Sequence, residues 1–330
     1  MTETHNRPVG DDGAGRFRSV LAVCDGGQGD TATLELAADI VRDSAGQLMV
    51  MGLVEPPSGL ARLARHAGVD PGEIVDRLIS EERQRLQTLT SGLLVPLEIE
   101  VCSGKPFLEI IRDVIAGSRD LVIKAAEAWA GAPRSLFTST DQHLLRKCPA
   151  PVWLHMPDMP RPARAVLAAV DADLDAASQP ETLRALNTHV VETAARMAQL
   201  TGAKLHVLHA WNAPAEGMMW MWSNAPDPQK EVDAYLQSVH DQSRVNIDRL
   251  VENLAVPPAR LRKHSVRGDA RDVVPKRAGA LGIDILVMGS IARTGIPGFI
   301  IGNTAEDVLN RVECSVVIVK PPGYVSPVKV

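Results

Sequence analysis

Two stretches of the chain, Ser19-Val20-Leu21-Ala22-Val23-Cys24-Asp25 and Ala165-Val166-Leu167-Ala168-Ala169-Val170-Asp171, share one form: an apolar run that closes on an acid. An internal repeat constrains a fold more than composition does, because every later element must then be found twice. Each run reads as a buried strand. A helical pattern follows each, with Leu34, Ala37, Ala38 and Val41 on one face in the first copy and Val190, Val191, Ala194, Ala195 and Met197 in the second. Those helices close at Gly46 and Gly202, and second strands follow at 48–54 and 205–211. After a long amphipathic helix, third strands near 97–102 and 261–266 turn into helices through Gly104-Lys105-Pro106 and Gly268-Asp269-Ala270. Fourth strands are expected at 120–123 and 284–287. Thr138-Ser139-Thr140-Asp141 and Asn303-Thr304-Ala305-Glu306 then have capping-box form, and final strands close the copies at 151–156 and 316–320.

Strands alternating with helices predict an α/β fold, because parallel strands need crossover helices. The expectation is two tandem doubly wound, Rossmann-like domains, each with a five-stranded parallel sheet. The apolar final strands would leave exposed edges, so the copies are expected to meet as a pseudo-twofold pair within one chain, with a homodimer as a further arrangement. The chain divides into a polar tail at 1–15 and domains at 16–158 and 159–330, joined by the proline-rich Pro157-Asp158-Met159-Pro160-Arg161-Pro162. From Asp25 to Gly104 runs 79 residues and from Asp171 to Gly268 runs 97, so copy two carries about 18 more. The expected host is an insertion at 212–229, which contains Met218-Met219-Trp220-Met221-Trp222.

With 35 Lys and Arg against 40 Asp and Glu, the net charge is -5, which gives no general attraction to nucleic acid. No apolar run approaches the roughly 20 residues that span a bilayer, and the start carries no apolar signal core. Four scattered cysteines form no Cys-x-x-Cys pair. A cytoplasmic protein with reduced thiols is the expectation.

In open parallel sheets ligands bind beyond the carboxyl ends of the strands. In copy two the loop after strand four holds Gly289, Gly295, Gly298 and Gly302 and ends at a helix N-terminus. Such a loop is either an anion cradle or a flexible connection with a capped helix. Its positions Gly289, Ala292, Gly302 and Asn303 resemble the universal stress protein family, whose nucleotide-binding members carry Gly, two residues, Gly, nine residues, Gly and Ser or Thr there. Together with Phe137-Thr138-Ser139-Thr140-Asp141 in copy one, the wider pattern resembles the tandem E type of that family, from about Arg18 to Tyr324.

The resemblance implies a bacterial stress-response protein with an adenine-nucleotide site in domain two and ATP with Mg²⁺ as its occupant. Asp171 would lie near adenine and ribose, backbone near Leu205 would meet adenine, and Met288 and Gly289 would flank the ribose and phosphates. Gly302, Asn303 and Thr304 would meet phosphate. Ala292 departs from the pattern by placing a methyl group where glycine lets backbone approach. The same spacing moved into copy one gives Lys124, Glu127, Phe137 and Thr138, none of them glycine, so copy one is expected to bind no nucleotide.

His206 and His209 stand an odd number of positions apart on a strand and face opposite ways, so they read as sheet residues and not as metal ligands. No catalytic residue is assigned. Trp220 and Trp222 are candidates for a lid over an amphiphile or nucleotide, against the alternative of local packing. The expected function is a noncatalytic ligand- or partner-binding stress protein. Its alternatives are a slow ATP hydrolase and a carrier or sensor of an amphiphile.

Overall fold

The structure, a computed structural model, describes residues 16–56, 58–126, 138–174, 177–222, 227–290 and 302–329. The first repeat supplies β1 (Ser19–Cys24), α1 (Asp30–Ser44), β2 (Gln47–Val54), α2 (Leu60–Ala67), α3 (Pro71–Thr90), β3 (Leu97–Ser103), α4 (Pro106–Ala116), β4 (Leu121–Ala125), α5 (Ser139–Lys147) and β5 (Val152–His155). The second supplies β6 (Ala165–Val170), α6 (Pro180–Thr201), β7 (Lys204–Trp211), α7 (Glu216–Trp222), α8 (Pro228–Val251), β8 (Leu261–Arg267), α9 (Ala270–Leu281), β9 (Ile285–Gly289), α10 (Asn303–Leu309) and β10 (Ser315–Val319). Two compact units result, one of residues up to Met159 with Ser315–Val330, the other running from Pro160 and including Gly302–Cys314.

In unit 1 the parallel strands run in the order β3, β2, β1, β4, β5. β10 lies antiparallel on β5, with Val317 opposite Trp153, so the apolar edge of β5 is covered by the chain's last strand. All five residues of β10 are buried. In unit 2 the parallel order is β8, β7, β6, β9. The central strands β1 and β6 are apolar because helices cover both faces of such a sheet, and Val20, Leu21 and Ala22, like Val166, Leu167 and Ala168, are fully buried. The α/β architecture and its mostly parallel strand pairing follow the sequence reading. The two final strands, β5 and β10, pair antiparallel with each other, as their apolar edges led us to expect.

Two local expectations are corrected. Thr138 caps α5 in a complete capping box with Asp141, but α10 begins with Gly302 as its cap and no side-chain cap bond, so Asn303 is the first helical residue. The extra length of copy two also lies elsewhere. The backbone N–H of Asp25 donates to Asp30, 5 positions on, whereas that of Asp171 donates to Asn187, 16 positions on. About eleven added residues therefore enter between β6 and the matching point of α6. α8 is longer than α3, 24 residues against 20. The stretch from Val54 to Pro71 is as long as that from Trp211 to Pro228, and each carries a short helix, α2 or α7. The tryptophan-bearing segment at 212–229 is thus the counterpart of α2 and no insertion. Counting from strand to glycine showed how much chain was added without showing where.

Candidate functional site

Register places the two strand-end sites on a common scale. Val23 pairs with Lys124 and Ala169 with Met288, so Lys124 stands where Met288 stands, one position from the alignment that loop spacing alone suggests. Cys24 pairs with Gly52 and Val170 with His209, so His209 stands at the place of Gly52.

In unit 1 this place is filled by the chain itself. The Lys124 side chain is buried, and its ammonium lies 2.8 Å from Asp25 Oδ2 and 3.3 Å from Asp141 Oδ1. Burial raises the Asp141 carboxyl above the ordinary aspartate range while Lys124 and the Thr138 cap pull it down. A second group sits beside it: buried Asp30 accepts from the N–H groups of Asp25 and Gly26 and from Arg85 at 2.7 Å, and Arg85 also grips Glu82 at 2.6 Å. A charged ligand entering here would have to displace a lysine already matched by two carboxylates. Glu127 and Phe137, the other positions expected to disfavour nucleotide, lie outside the described residues.

Unit 2 carries the neutral Met288 and Asn187 at the places of Lys124 and Asp30. Asn187 replaces Asp30, accepting from the Asp171 N–H at 3.2 Å and donating to the Asp171 carbonyl at 2.6 Å, which fixes the turn after β6. Asn246 of α8 donates to the Ala172 carbonyl at 2.9 Å. His209 Nδ1 lies 3.0 Å from Ser243 Oγ, which lies 2.7 Å from Ser265 Oγ. Desolvation lowers the His209 pKa against the raising influence of Asp171 and Asp173, so the ring is neutral near pH 7. Among the described residues, three buried polar atoms at this end of the sheet have no hydrogen-bond partner: His209 Nε2, Trp211 Nε1 and Ser290 Oγ. His209 and Trp211 lie on β7 and Ser290 follows β9, on either side of β6, and all three stand within a residue or two of the level of Asp171. The positions that match them in unit 1 are Gly52, Val54 and Ala126, which carry no polar side-chain atom.

Strand register puts three of the expected residues at one end of the unit 2 sheet and leaves three others on a separate helix start. Asp171, Met288 and Gly289 lie at the strand ends, and Gly302, Asn303 and Thr304 form the start of α10. Leu205 does not join them. It pairs with Val166 at the amino end of β7, about 13 Å along the strand from His209. The strand-two backbone level with Asp171 belongs to His209 and Ala210. Ala292 lies outside the described residues.

Gly289 has a packing role of its own. A Cβ there would fall 2.4 Å from Leu186 of α6, and in unit 1 a Cβ on Gly29 would fall 2.3 Å from the Cβ of Ala125. The same helix-to-strand approach thus needs one missing Cβ, supplied by the helix end in unit 1 and by the strand in unit 2. Trp220 and Trp222 of α7 are exposed, at 47% and 68%, with Met218 and Met221 beside them.

His206 and His209 face opposite ways, as strand alternation requires: His206 stacks on His264 with ring nitrogens 3.0 Å apart, while His209 turns to α8. Among the described residues no group of three or more His, Cys, Asp or Glu is arranged to hold a metal ion. Cys24, Cys148 and Cys314 are buried thiols and Cys102 is partly buried. No helix among the described residues is long and apolar enough to cross a membrane. Sequence reading overlooked the unmatched polar atoms of His209, Trp211 and Ser290. The available signal was their contrast with Gly52, Val54 and Ala126, which becomes visible only once the two copies are aligned by strand register.

Two repeats of a doubly wound sheet, one with its strand-end site sealed by an ion cluster and the other lined by unmatched polar atoms, define a tandem α/β protein with two unlike strand-end sites. The universal stress protein family model matches residues 16–155 and again 183–320, and the chain belongs to that family. It is 29% identical over 321 residues to universal stress protein E of Salmonella typhi, covering 95% of this chain and 97% of that one. Against universal stress protein E of Escherichia coli K12 the identity is 28% over the same shares. Among solved structures, a protein from Pseudomonas aeruginosa UCBPP-PA14 superposes with a TM-score of 0.64 at 24% identity, over 92% of this chain and 94% of that one. A universal stress protein from Archaeoglobus fulgidus superposes with a TM-score of 0.59 at 17% identity, over 92% and 98%.

Proposed function

We propose that this chain is a noncatalytic, cytoplasmic stress-response protein whose two domains, 16–158 and 159–330, have divided their roles: the first is self-filled and structural, and the second holds a small ligand. The observation that carries this reading is the pairing of a buried Lys124 with Asp25 and Asp141 at one strand-end site against three unmatched buried polar atoms at the other. Each such atom costs about 1–3 kcal/mol if it stays unmatched, and an occupant that meets them offsets that cost. An adenine nucleotide is the first ligand to test, with Asp171, Gly302, Asn303 and Thr304 as its contacts and Mg²⁺ brought with the phosphates.

Titration calorimetry with ATP and Mg²⁺ tests it. The expected result is one site per chain. Asp171→Asn and Gly302→Val should each weaken binding about tenfold or more while the fold is kept. Gly302 sits at φ -59° and ψ 138°, a conformation open to any residue, so valine there probes approach and not backbone strain. Absence of heat and of thermal shift at millimolar ATP would remove the nucleotide. Two sites per chain would remove the division of roles. The exposed Trp and Met side chains of α7 favour a second reading, an amphiphile held under that helix.

A further inference from the structure

The contrast between the units extends to the helix that backs the second strand. Counting from the proline that opens each helix, Ser243 of α8 stands where Leu86 stands in α3. In unit 1 a Cβ on Gly52 would fall 2.7 Å from Leu86, so a small strand residue faces a large helix residue. Unit 2 inverts the pair, with a large His209 on the strand and a small Ser243 on the helix, 3.0 Å apart. Volume alone explains the inversion but not the chemistry, because an apolar side chain would fill the same space without leaving a ring nitrogen unmatched.

His209 is 2% exposed, and the chain from Ser265 through Ser243 holds its Nδ1, which fixes the ring and leaves Nε2 as the atom on offer. We infer that His209 Nε2 reads the ligand of unit 2, forming a hydrogen bond with an uncharged polar group of its ligand, the base-and-sugar portion of a nucleotide and not the phosphate chain. This rests on the reading of unit 2 as the ligand-holding unit. Its choice of a neutral group follows from the surroundings. The groups that face His209 from α8 and β8 are the neutral Ser243 and Ser265 hydroxyls, and the field there is that of the Asp171 and Asp173 carboxylates, which disfavours a phosphate and suits an uncharged polar group. Trp211, two residues on along the same face of β7 and 5.8 Å from the His240 ring, offers a second unmatched N–H beside an aromatic wall.

The test uses the full chain with adenosine and with ATP and Mg²⁺ as separate probes. The double variant His209→Gly with Ser243→Leu transplants the unit 1 pair into unit 2 and removes the nitrogen without leaving a void. His209→Gln keeps an amide near the position of Nε2. The double variant should weaken adenosine and ATP by the same factor, at least about tenfold, while glutamine retains most of the affinity. In the parent protein the ¹⁵N signal of His209 Nε2 should move on saturation with adenosine. If ATP weakens and adenosine does not, the contact is with phosphate and the inference is overturned. If both bind the variants as they bind the parent, or the His209 signal stays fixed on saturation, an internal water satisfies the nitrogen and the inference falls, while unit 2 remains a binding unit. If the parent binds neither probe, the inference and the nucleotide reading fall together. Should the double variant fail to fold, glutamine and the ¹⁵N signal decide between the same outcomes.

Discussion

A lysine ammonium sealed between two carboxylates holds together only while all three groups are present, because removing one partner leaves buried charge unmatched. Lys124→Met keeps the length and apolar body of the side chain and deletes the charge beside Asp25 and Asp141. It should destabilise the chain by about 3–5 kcal/mol near pH 7. The pH dependence has a definite sign. Desolvation already raises the folded-state pKa of Asp141 above its ordinary value, and loss of Lys124 removes the largest opposing influence, so the pKa rises further in the variant. A carboxyl with a folded pKa above its unfolded one favours the folded state at low pH and loses that contribution as pH climbs through the folded value. The deficit of Lys124→Met against the parent should therefore be smaller at pH 5 than at pH 7.5 in urea denaturation. A deficit that grows on acidification would mean that the carboxylates are not the groups left unmatched.

At the scale of elements, strand and helix order was legible because buried parallel strands read as apolar runs and helices as one-sided apolar patterns. Cap position and added length were not. Gly302 caps α10 although Asn303 has the better capping side chain, since a helix start is set by where the chain arrives and not by side-chain preference alone. The eleven or so residues before Asn187 carry no marker that distinguishes them from a longer loop, whereas Met218 to Trp222 draw attention by composition. Of the candidate site, Asp171 and Gly302 could be read from motif spacing. His209 could not, because its meaning depends on Ser243, 34 positions away on another element. α7 itself carries no buried residue and rides on α8, with the Ala215 N–H donating to Tyr235 at 3.4 Å. If α7 closes over a ligand, Trp220 and Trp222 move from water into an apolar setting. Their emission should then shift to shorter wavelength as a single-chain amphiphile is added, and Trp220→Phe with Trp222→Phe should remove the shift and weaken binding. Unchanged fluorescence and affinity in that variant would leave α7 as rim packing alone.

For the whole molecule, the chain's last strand is the element on which the first-formed unit depends. β10 is buried along its length against β5, with Val316 opposite Leu154 and Ile318 opposite Val152. The segment beyond it is anchored to the end of α5: buried Lys320 donates to the Leu145 carbonyl at 2.5 Å and Tyr324 to the Arg146 carbonyl at 3.1 Å. These bonds satisfy two of the orphan carbonyls that every helix C-terminus presents. Sequence-adjacent folding would complete 16–158 first, yet without β10 that unit exposes the apolar edge of β5, where Trp153 is 3% exposed in the intact chain. A chain ending at Cys314 should accordingly lose the cooperative unfolding of unit 1 and aggregate, although every residue of the first repeat is present. The expected signature is loss of hydrogen-exchange protection in β4 and β5 together, with β6 and β7 retaining theirs. Protection in β5 that survives the truncation would show that the first repeat closes its own edge, and β10 would then be an addition to unit 1 and not a part of its core.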